Sequence, residues 1–507
     1  MKRLAALAVV LCLLLAACGG ENRPEKVSDG YRNYYEVFVR SFCDSDGDGL
    51  GDLAGVTSRL DYIGEDLGAD GIWLMPIMPS PSYHKYDVTD YFSIDPEYGT
   101  LEDFDTLLAE AHARDIHVII DLVLNHTSNL HLWFDTAVQG LWSGQENEYA
   151  SYYTFTTEER GEGYARITDR YFYECRFWSG MPDLNLDHPA VRGEIRRIAE
   201  FWLDRGVDGF RLDAVTSYYT GNMEKNIGFL SWFNDLVKEL KPDAYLVGEA
   251  WSDSGVIASY YESGVDSFFN FPYSQATGRL VAALNTGAGD SFASGLAEWN
   301  RTIDAASPAA VDALFLSNHD QARSAGFLMR DPVRQKTAAA MYLLAPGNPF
   351  IYYGEEIGMT GSGADPDKRL PMLWSADDPD GTASAPPGAT QTVTGIEGVD
   401  KQTKDGKSLL NHYRNLLRIK AENPEIARGV MESVDTGIPG IAALSSTCEG
   451  RTVYVFHNLT DERRSFGRDR LPGPVSAVAG YAAAAGGKPR LSRDEIILPP
   501  WSSTVIR

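Results

Sequence analysis

The sequence predicts an α/β protein built on a closed barrel of eight β/α units, a (β/α)8 or TIM barrel. It also predicts an inserted subdomain after the third strand and an all-β domain at the carboxyl end. Eight short apolar runs alternate with amphipathic stretches of helical period, which is typical of β/α units. The stretch after the third run is too long for a simple connection, and the tail of the chain alternates polar and apolar residues.

Each barrel strand is predicted from one apolar run. The runs cover residues 34–42, 71–77, 117–123, 209–215, 245–251, 267–271, 313–317 and 349–353. Helices are predicted between them, because in residues 101–114 and 191–205 the apolar side chains recur three and four apart and so share one face.

These patterns divide the chain into consecutive parts. We predict a signal peptide in residues 1–17, a lipid-anchored tether in 18–30, the barrel in 31–126 and 189–424, the inserted domain in 127–188 and a β-sandwich in 425–507.

The amino terminus has the pattern of a secretory signal. Lys2 and Arg3 precede an apolar run over residues 4–15, which is shorter than the ~20 residues of a membrane span. The string L-A-A-C, ending at Cys18, resembles a bacterial lipobox, which implies cleavage before Cys18 and a lipid on its thiol. We therefore expect an extracytoplasmic protein held at the membrane by this lipid alone. An ordinary signal peptide or a short buried helix is the alternative.

Charge and cysteine content narrow the function classes. The formal net charge is −26, with 71 acidic and 45 basic side chains, which argues against nucleic acid as a partner. A neutral ligand or a metal cation remains compatible with this charge. After processing, Cys43, Cys175 and Cys448 remain, without a C-x-x-C pair, so the core rather than crosslinks must stabilise the protein.

Polar residues gather where barrel strands should end, which is where barrel enzymes place their chemistry. Arg211 and Asp213 are two apart, so on a strand both point to the same face. A charged pair within an apolar run is costly unless it is paired or functional, and a buried structural ion pair is the alternative. The other strand ends carry the following residues: Asp121, Asn125, His126, Glu249, Asn318, His319 and Asp320.

This set of residues points to glycosidic-bond chemistry. A retaining glycosidase needs one ionised carboxylate as nucleophile and one protonated carboxyl as general acid. Arg211 would keep Asp213 ionised, whereas the apolar neighbours of Glu249 would favour its protonated form.

Five strings resemble the ordered motifs of the α-amylase family, glycoside hydrolase family 13. They are D-L-V-L-N-H (121–126), M-P-D-L-N (181–185), G-F-R-L-D-A (209–214), V-G-E-A-W (247–251) and L-S-N-H-D (316–320). The resemblance implies that Asp213 is the nucleophile, Glu249 the general acid/base and Asp320 a third carboxylate that holds the reacting sugar. It further implies that the sugar ring and its hydroxyls contact Tyr86, His126, Arg211 and His319.

An acidic loop predicts a calcium site. Asp44, Asp46 and Asp48 occupy positions 1, 3 and 5 of a calcium loop, with the Leu50 carbonyl at 7 and Asp52 at 9. Position 12 is not Glu, so an EF-hand is not expected, although family members carry a similar calcium-binding loop. A solvated acidic turn is the alternative. A second family calcium site at Asn125 is not expected, because Thr and Ser at 216–217 replace the usual Lys-His pair.

The sequence indicates less clearly which glucosidic linkage is cleaved and whether cleavage is internal or at chain ends. In similar enzymes, Ala at position 214 accompanies α-1,4 linkages. Asp365 and Arg369 should reach the neighbouring sugar, and Asp87 could pair with Arg369 to close the cleft as in exo-acting relatives, or the pair could line an open groove. We therefore predict a monomeric α-amylase acting on starch, glycogen or maltooligosaccharides. An exo-acting α-glucosidase, oligo-1,6-glucosidase or transglycosylase is the alternative, and a non-catalytic glucan-binding protein is a third reading.

Overall fold

The computed structural model describes residues 30–145 and 147–507. The predicted signal peptide, the lipid-bearing Cys18 and the tether up to residue 29 lie outside the described residues. Within the described part of the chain, no helix combines the length and the apolar character needed to cross a bilayer.

Parallel strands surround the core of the main domain. Three short strands that belong to a separate sheet come between the third and fourth of them in the chain. In chain order these are β1 (Tyr34–Val37), β2 (Gly71–Leu74), β3 (His117–Leu122), β4 (Phe155–Thr156), β5 (Tyr164–Arg166), β6 (Phe172–Glu174), β7 (Gly209–Leu212), β8 (Tyr245–Gly248), β9 (Ser267–Phe268) and β10 (Phe350–Tyr352). The parallel sheet has the order β10-β1-β2-β3-β7-β8-β9.

The eighth position of the barrel is filled by bridges rather than by a regular strand. Ala313 pairs with Phe269 beside β9, and Phe315 pairs with Phe350 of β10, both in parallel. These contacts close the sheet, so the predicted barrel is confirmed. The first predicted run was too long, because Val39–Phe42 is a buried helical turn rather than the end of β1.

Helices follow the strands along the chain. The α-helices are Val39–Phe42, Leu53–Ser58, Leu101–Ala113, Leu132–Ser143, Pro189–Arg205, Met223–Leu240, Ser254–Tyr260, Arg279–Thr286, Gly289–Ala306, Ser324–Phe327, Pro332–Leu343, Asp365–Lys368, Val399–Gln402, Leu409–Glu422 and Glu425–Arg428. Tyr62–Leu67 is a π-helix, and short 3-10 helices cover Glu148–Ser151, Tyr261–Ser263, Phe271–Tyr273 and Arg468–Arg470.

The helix Pro189–Arg205 illustrates how local sequence sets these limits. Proline suits the first position of a helix, because the backbone N of that position has no hydrogen-bond partner within the helix. The His188 side chain caps the helix by accepting a hydrogen bond from Ala190 N. The helix ends at Gly206, whose φ of 113° suits glycine. Between these ends it buries an apolar stripe that includes Ile195, Ile198 and Trp202.

The segment between β3 and β7 forms the inserted subdomain. Its strands pair in the order β4-β6-β5, and the helix Leu132–Ser143 precedes them. The bridge between His126 and Asp183 ties the return of this segment to the end of β3. The insertion therefore stays in contact with the carboxyl end of the barrel.

The carboxyl-terminal part is all β, as predicted. Its strands are β11 (Val430–Ser433), β12 (Ile441–Cys448), β13 (Arg451–Asn458), β14 (Arg464–Gly467), β15 (Val478–Ala483), β16 (Arg490–Leu491), β17 (Glu495–Leu498) and β18 (Ser502–Ile506). They form a five-stranded sheet, β11-β12-β13-β18-β15, and a three-stranded sheet, β14-β17-β16. Phe456, Phe466 and Ile496 belong to one apolar cluster to which both sheets contribute.

Residues 31–507 form a single compact unit, so the predicted limits between barrel, insertion and β-sandwich stay a prediction. Cys43, Cys175 and Cys448 are free thiols. Packing rather than crosslinks therefore stabilises the part of the chain that the structure describes.

Candidate active site

One arginine organises the carboxyl end of the barrel. Arg211, at the end of β7, is 1% exposed, and its Nη1 lies 2.5 Å from Asp213 Oδ1 and 2.9 Å from Asp121 Oδ1. Its Nη2 lies 2.9 Å from Glu249 Oε2. A single buried guanidinium thus contacts three carboxyl groups from three strands. Such an arrangement offsets the cost of burying charge only because each group has a partner.

Glu249 has the properties of a general acid. Burial raises the pKa of Glu249 to about 7, although the charge of Arg211 opposes this shift. Its Oε2 also accepts a hydrogen bond from the backbone N of Ala214, at 2.9 Å. Near neutral pH this carboxyl can therefore both hold and release a proton.

Ala214 connects the nucleophile candidate to the acid candidate. Its φ of 45° lies in the left-handed region, which a non-glycine residue seldom adopts. This backbone turn directly follows Asp213 and brings the Ala214 N–H to Glu249. Strain of this kind is typical of residues that position a site.

Asp320 is held on two sides by cationic groups. Arg369 Nη2 lies 2.9 Å from its Oδ1, and His319 Nε2 lies 3.1 Å from its Oδ2. Burial alone would raise the pKa of Asp320, but His319, Arg369 and Arg211 together hold it well below its usual range. Asp320 is therefore ionised across the working range of most enzymes.

Tyr86 and His126 stand at the same end of the barrel. The Tyr86 hydroxyl donates to Asp121 Oδ2 at 3.0 Å, and it lies 2.8 Å from His319 Nε2. His126 Nε2 lies 3.2 Å from the Tyr86 carbonyl, so this nitrogen carries a proton and donates. The structure thus brings together Asp213, Glu249, Asp320, Tyr86, His126, Arg211 and His319.

Asp87 and Arg369, for which the sequence left open either a pair or an open groove, each contact other residues. The Asp87 carboxylate accepts hydrogen bonds from Ser80, at 2.7 Å, and from Ser82. Arg369 instead contacts Asp320, and its Nη2 lies 3.9 Å from Asp365 Oδ2. Within residues 30–145 and 147–507, Asp87 and Arg369 form no ion pair with each other.

Comparison with known proteins agrees with this geometry. The family model described as "Alpha amylase, catalytic domain" matches residues 36–429. The protein "Alpha-amylase 3" of Dictyoglomus thermophilum is 39% identical over 516 residues, which cover 100% of this chain and 98% of that protein. The chain belongs to the α-amylase family, glycoside hydrolase family 13. It is therefore a glycoside hydrolase.

Other members of the α-amylase family resemble it over similar lengths. The solved structure titled "Eubacterium rectale Amy13B" superposes with a TM-score of 0.92 at 42% identity, covering 96% of this chain and 97% of that one. "Probable oligo-1,6-glucosidase 3" of Bacillus subtilis is 28% identical and covers 93% of this chain and 97% of that protein. Similarity within the family thus extends from proteins named as amylases to one named as a glucosidase.

The acidic loop of this α-amylase family member has the donors that a hard cation prefers. Oxygen atoms of Asp44, Asp46 and Asp48 all lie within 4.8 Å of one another. Asp44 Oδ1 also accepts from Gly47 N at 2.7 Å, which bends the loop around its carboxylate. Three close carboxylates repel one another unless a cation lies among them, so these residues fit a divalent cation such as calcium.

Asp52, predicted as a further ligand, does not belong to this group of three. Its Oδ1 accepts from Gly55 N at 2.6 Å and caps the helix Leu53–Ser58. Its Oδ2 accepts from the backbone N of Ser45 at 2.9 Å. Asn125, at the second family calcium position, donates to Asp183 Oδ1 at 3.0 Å.

Sequence reasoning missed an aromatic platform beside Glu249. Trp251 is 47% exposed and stacks on Phe271, with ring centroids 4.8 Å apart and planes 13° apart. The two rings line a cavity of about 490 Å³ together with Gln275 and Arg279. Trp251 ends the motif V-G-E-A-W, but from the sequence alone a tryptophan at the end of a strand could equally be a buried core residue. Phe177, in the inserted subdomain, is 49% exposed and packs edge-on against His126.

Proposed function

We propose that the protein is an α-amylase that cleaves α-1,4-glucosidic bonds in starch, glycogen or maltooligosaccharides with retention of anomeric configuration. The observation that supports this most is the sharing of Arg211 between Asp213 and Glu249. A retaining mechanism needs two neighbouring carboxyl groups, one ionised and one protonated. The Arg211 guanidinium lies 2.5 Å from Asp213, whereas burial raises the pKa of Glu249 to about 7.

In the first step, Glu249 donates its proton to the glycosidic oxygen while Asp213 Oδ attacks the anomeric carbon. The bond to the leaving sugar breaks as the ester bond to Asp213 forms. In the second step, the ionised Glu249 takes a proton from water, and the water oxygen displaces Asp213 from the anomeric carbon. Asp320, fixed by His319 and Arg369, accepts hydrogen bonds from hydroxyls of the reacting sugar.

Two features favour internal cleavage of a long chain. Trp251 offers an open aromatic face two residues after Glu249, where the leaving part of a glucan would extend. Asp87 and Arg369 contact other residues rather than each other, which favours an open groove over a cleft closed by this pair. Relatives named as α-amylases agree with this reading.

The remaining parts of the proposal concern the metal and the location. Asp44, Asp46 and Asp48, with the Leu50 carbonyl, would hold Ca²⁺, which stabilises the loop after β1. Lipid on Cys18 would hold a monomeric enzyme outside the cytoplasmic membrane, where it meets an uncharged polymer.

A time course of products tests the activity. We expect mixed maltooligosaccharides from soluble starch and maltoheptaose within the first minutes. Glucose alone would instead identify an exo-acting α-glucosidase. In the digest of maltoheptaose, products longer than maltoheptaose itself would identify a transglycosylase. Asp213→Asn should give no products while still binding starch. Asp187→Asn, which changes a surface aspartate paired with Lys225, should act like wild type. Undiminished turnover by Asp213→Asn would refute the proposed nucleophile.

A further inference from the structure

A buried glutamate occupies an unexpected position in β1. Glu36 is 1% exposed within an otherwise apolar strand, between the neighbouring strands β2 and β10. Its register partners are Trp73 and Tyr352. An ionised carboxyl in such a place is costly unless a cation compensates it. Its cation must therefore be sought across the barrel.

That cation is the ring of His319, which follows the bridging residues Ala313 and Phe315 in the chain. Glu36 Oε1 lies 2.6 Å from His319 Nδ1, and it also accepts from the His319 backbone N at 3.3 Å. The opposite ring nitrogen, Nε2, lies 3.1 Å from Asp320 Oδ2 and 2.8 Å from the Tyr86 hydroxyl. The imidazole thus lies between two carboxylates, one on each nitrogen.

The contacts of the two ring nitrogens favour a doubly protonated ring. An ionised carboxylate can only accept, so the hydrogen bond with Glu36 requires a proton on Nδ1, and the ion-pair distance from Nε2 to Asp320 favours a proton on Nε2 as well. The Tyr86 hydroxyl donates to Asp121, which leaves its oxygen free to accept from Nε2. An imidazolium satisfies the contacts with both Glu36 and Asp320, one on each ring nitrogen.

We propose that Glu36 is a positioning residue that holds His319 as an imidazolium and, through it, fixes Asp320 for binding of the reacting sugar. This inference rests on the proposed function for the role of Asp320. It adds a residue that never contacts the substrate but sets the charge of one that does.

The surroundings of His319 support the assignment. Burial would lower the pKa of His319, but Asp320 and Glu36 overcome this effect and raise it to about 9. The other groups that face the histidine are the edge of Trp73, the Tyr86 ring and Arg369, whose Nε donates to the His319 carbonyl. Asp121, whose pKa burial raises to about 7, accepts from the Tyr86 hydroxyl. In the part of the chain that the structure describes, Glu36 is the hydrogen-bond partner of Nδ1.

The ring titration of His319 tests the proposal without requiring activity. We would record long-range proton–nitrogen spectra of the histidine rings and assign His319 by its loss in His319→Gln. In wild type, both ring nitrogens should stay protonated at pH 7.5. In Glu36→Gln, one proton should leave at a lower pH, because the compensating charge is gone and burial remains.

A matched control is Glu356→Gln. Glu356 is equally buried and accepts from Tyr35 of the same strand at 2.7 Å, but it does not contact His319. The titration of His319 should be unchanged in this variant. Thermal melting of each variant reports folding separately.

Steady-state kinetics provides the second measurement. The loss of kcat/KM in Glu36→Gln should be small at low pH and should grow about tenfold per pH unit above the new pKa of His319. In a His319→Gln background, Glu36→Gln should cause no further loss, because its effect passes through that ring. A loss that is equal at all pH values, or that persists in this background, would overturn the proposal.

The wild-type spectrum decides the matter even where Glu36→Gln does not fold. A neutral His319 at pH 7.5 in wild type would refute the inference, whatever the activity. An imidazolium in a protein that does not cleave α-glucans would instead contradict the proposed function and leave the role of Glu36 toward His319 intact.

Discussion

Replacing Glu249 by glutamine keeps the size of the side chain but removes the transferable proton. The Ala214 N–H can still donate to the new amide oxygen, so we expect the fold of the site to persist. Loss of a general acid costs about 10² to 10⁴ in rate. We therefore expect kcat/KM on starch to fall within this range for Glu249→Gln.

The structure also sets the pH dependence. Because burial raises the pKa of Glu249 to about 7, most of these carboxyls are protonated at pH 6. With an ordinary pKa of about 4.3, only ~2% would be protonated at that pH. Burial thus increases the active form roughly fiftyfold at pH 6. Above pH 7, kcat/KM of wild type should fall about tenfold per pH unit.

The assay compares two leaving groups. Starch needs a protonated leaving oxygen, whereas α-maltosyl fluoride releases fluoride with little help from an acid. Glu249→Gln should therefore retain formation of the glycosyl-enzyme from the fluoride far better than it retains starch cleavage. The matched control is Glu355→Gln, because burial raises the pKa of Glu355 to about 7 as well. Its hydrogen-bond partners, Tyr342, Tyr413 and Ser317, are not among the residues of the proposed site.

Two results would refute this reasoning. One is starch cleavage by Glu249→Gln within about tenfold of wild type, since a general acid contributes more than that. The other is a shift of the alkaline limb in Glu355→Gln, which would assign that limb to a different buried carboxyl.

Three further outcomes follow from other parts of the molecule. Chelation should lower the melting temperature, and calcium at a hundredfold excess over its Kd should restore ~2.7 kcal/mol of folding stability. Asp46→Asn should weaken this response, whereas Asp61→Asn, at an exposed aspartate, should not. A melting temperature that does not change with chelator would contradict the calcium site. Trp251→Ala should raise KM for long maltooligosaccharides up to about tenfold through lost stacking, whereas the exposed Trp142→Ala should not, and equal effects would exclude a platform. Burial lowers the pKa of Lys420 to about 7, so its folded form binds fewer protons than its unfolded form between pH 7 and about 10. The stability of wild type relative to Lys420→Met should therefore rise by ~2.3 kcal/mol from pH 7 to 9 in urea titrations, and a constant difference would contradict the shift.

The barrel could be predicted because strands covered on both faces read as continuous apolar runs. The same property hides where a strand ends. Residues 34–42 are uniformly buried, yet Val39–Phe42 turns into a helix, and burial alone does not distinguish the two. Similarly, the run at 313–317 contributes single bridges, since pairing depends on neighbours that are distant in the chain.

The site could be predicted as far as its residues carry charge into apolar runs. Arg211, Asp213 and Glu249 were found in this way, and their contacts follow. The contacts of Asp87 and Arg369 could not be predicted in this way. Asp87 accepts from serines of a loop whose path the sequence does not specify, and Arg369 therefore contacts Asp320 instead of Asp87. Asp52 has two competing uses, as a ligand or as a helix cap, and the helix that follows it takes the carboxylate.

Glu36 shows a different limit. The sequence displays one acid in the apolar string Y-Y-E-V-F-V, which is a visible anomaly. Its partner is 283 residues away and becomes a neighbour only when the barrel closes. Sequence could identify the anomaly but not the residue that resolves it.

The shared guanidinium of Arg211 also bears on timing within the reaction. Burial contributes most to the raised pKa of Glu249, and the negative charge of Asp213 raises it further. In the proposed mechanism Asp213 becomes an ester of the sugar, so that charge disappears, while Arg211 keeps its own charge and remains in contact with Glu249. The proton affinity of Glu249 therefore falls as soon as the covalent intermediate forms, which is when a base is needed. Formation of the ester itself converts the acid of one half-reaction into the base of the next, and hydrolysis of the ester reverses the change without any movement of the backbone.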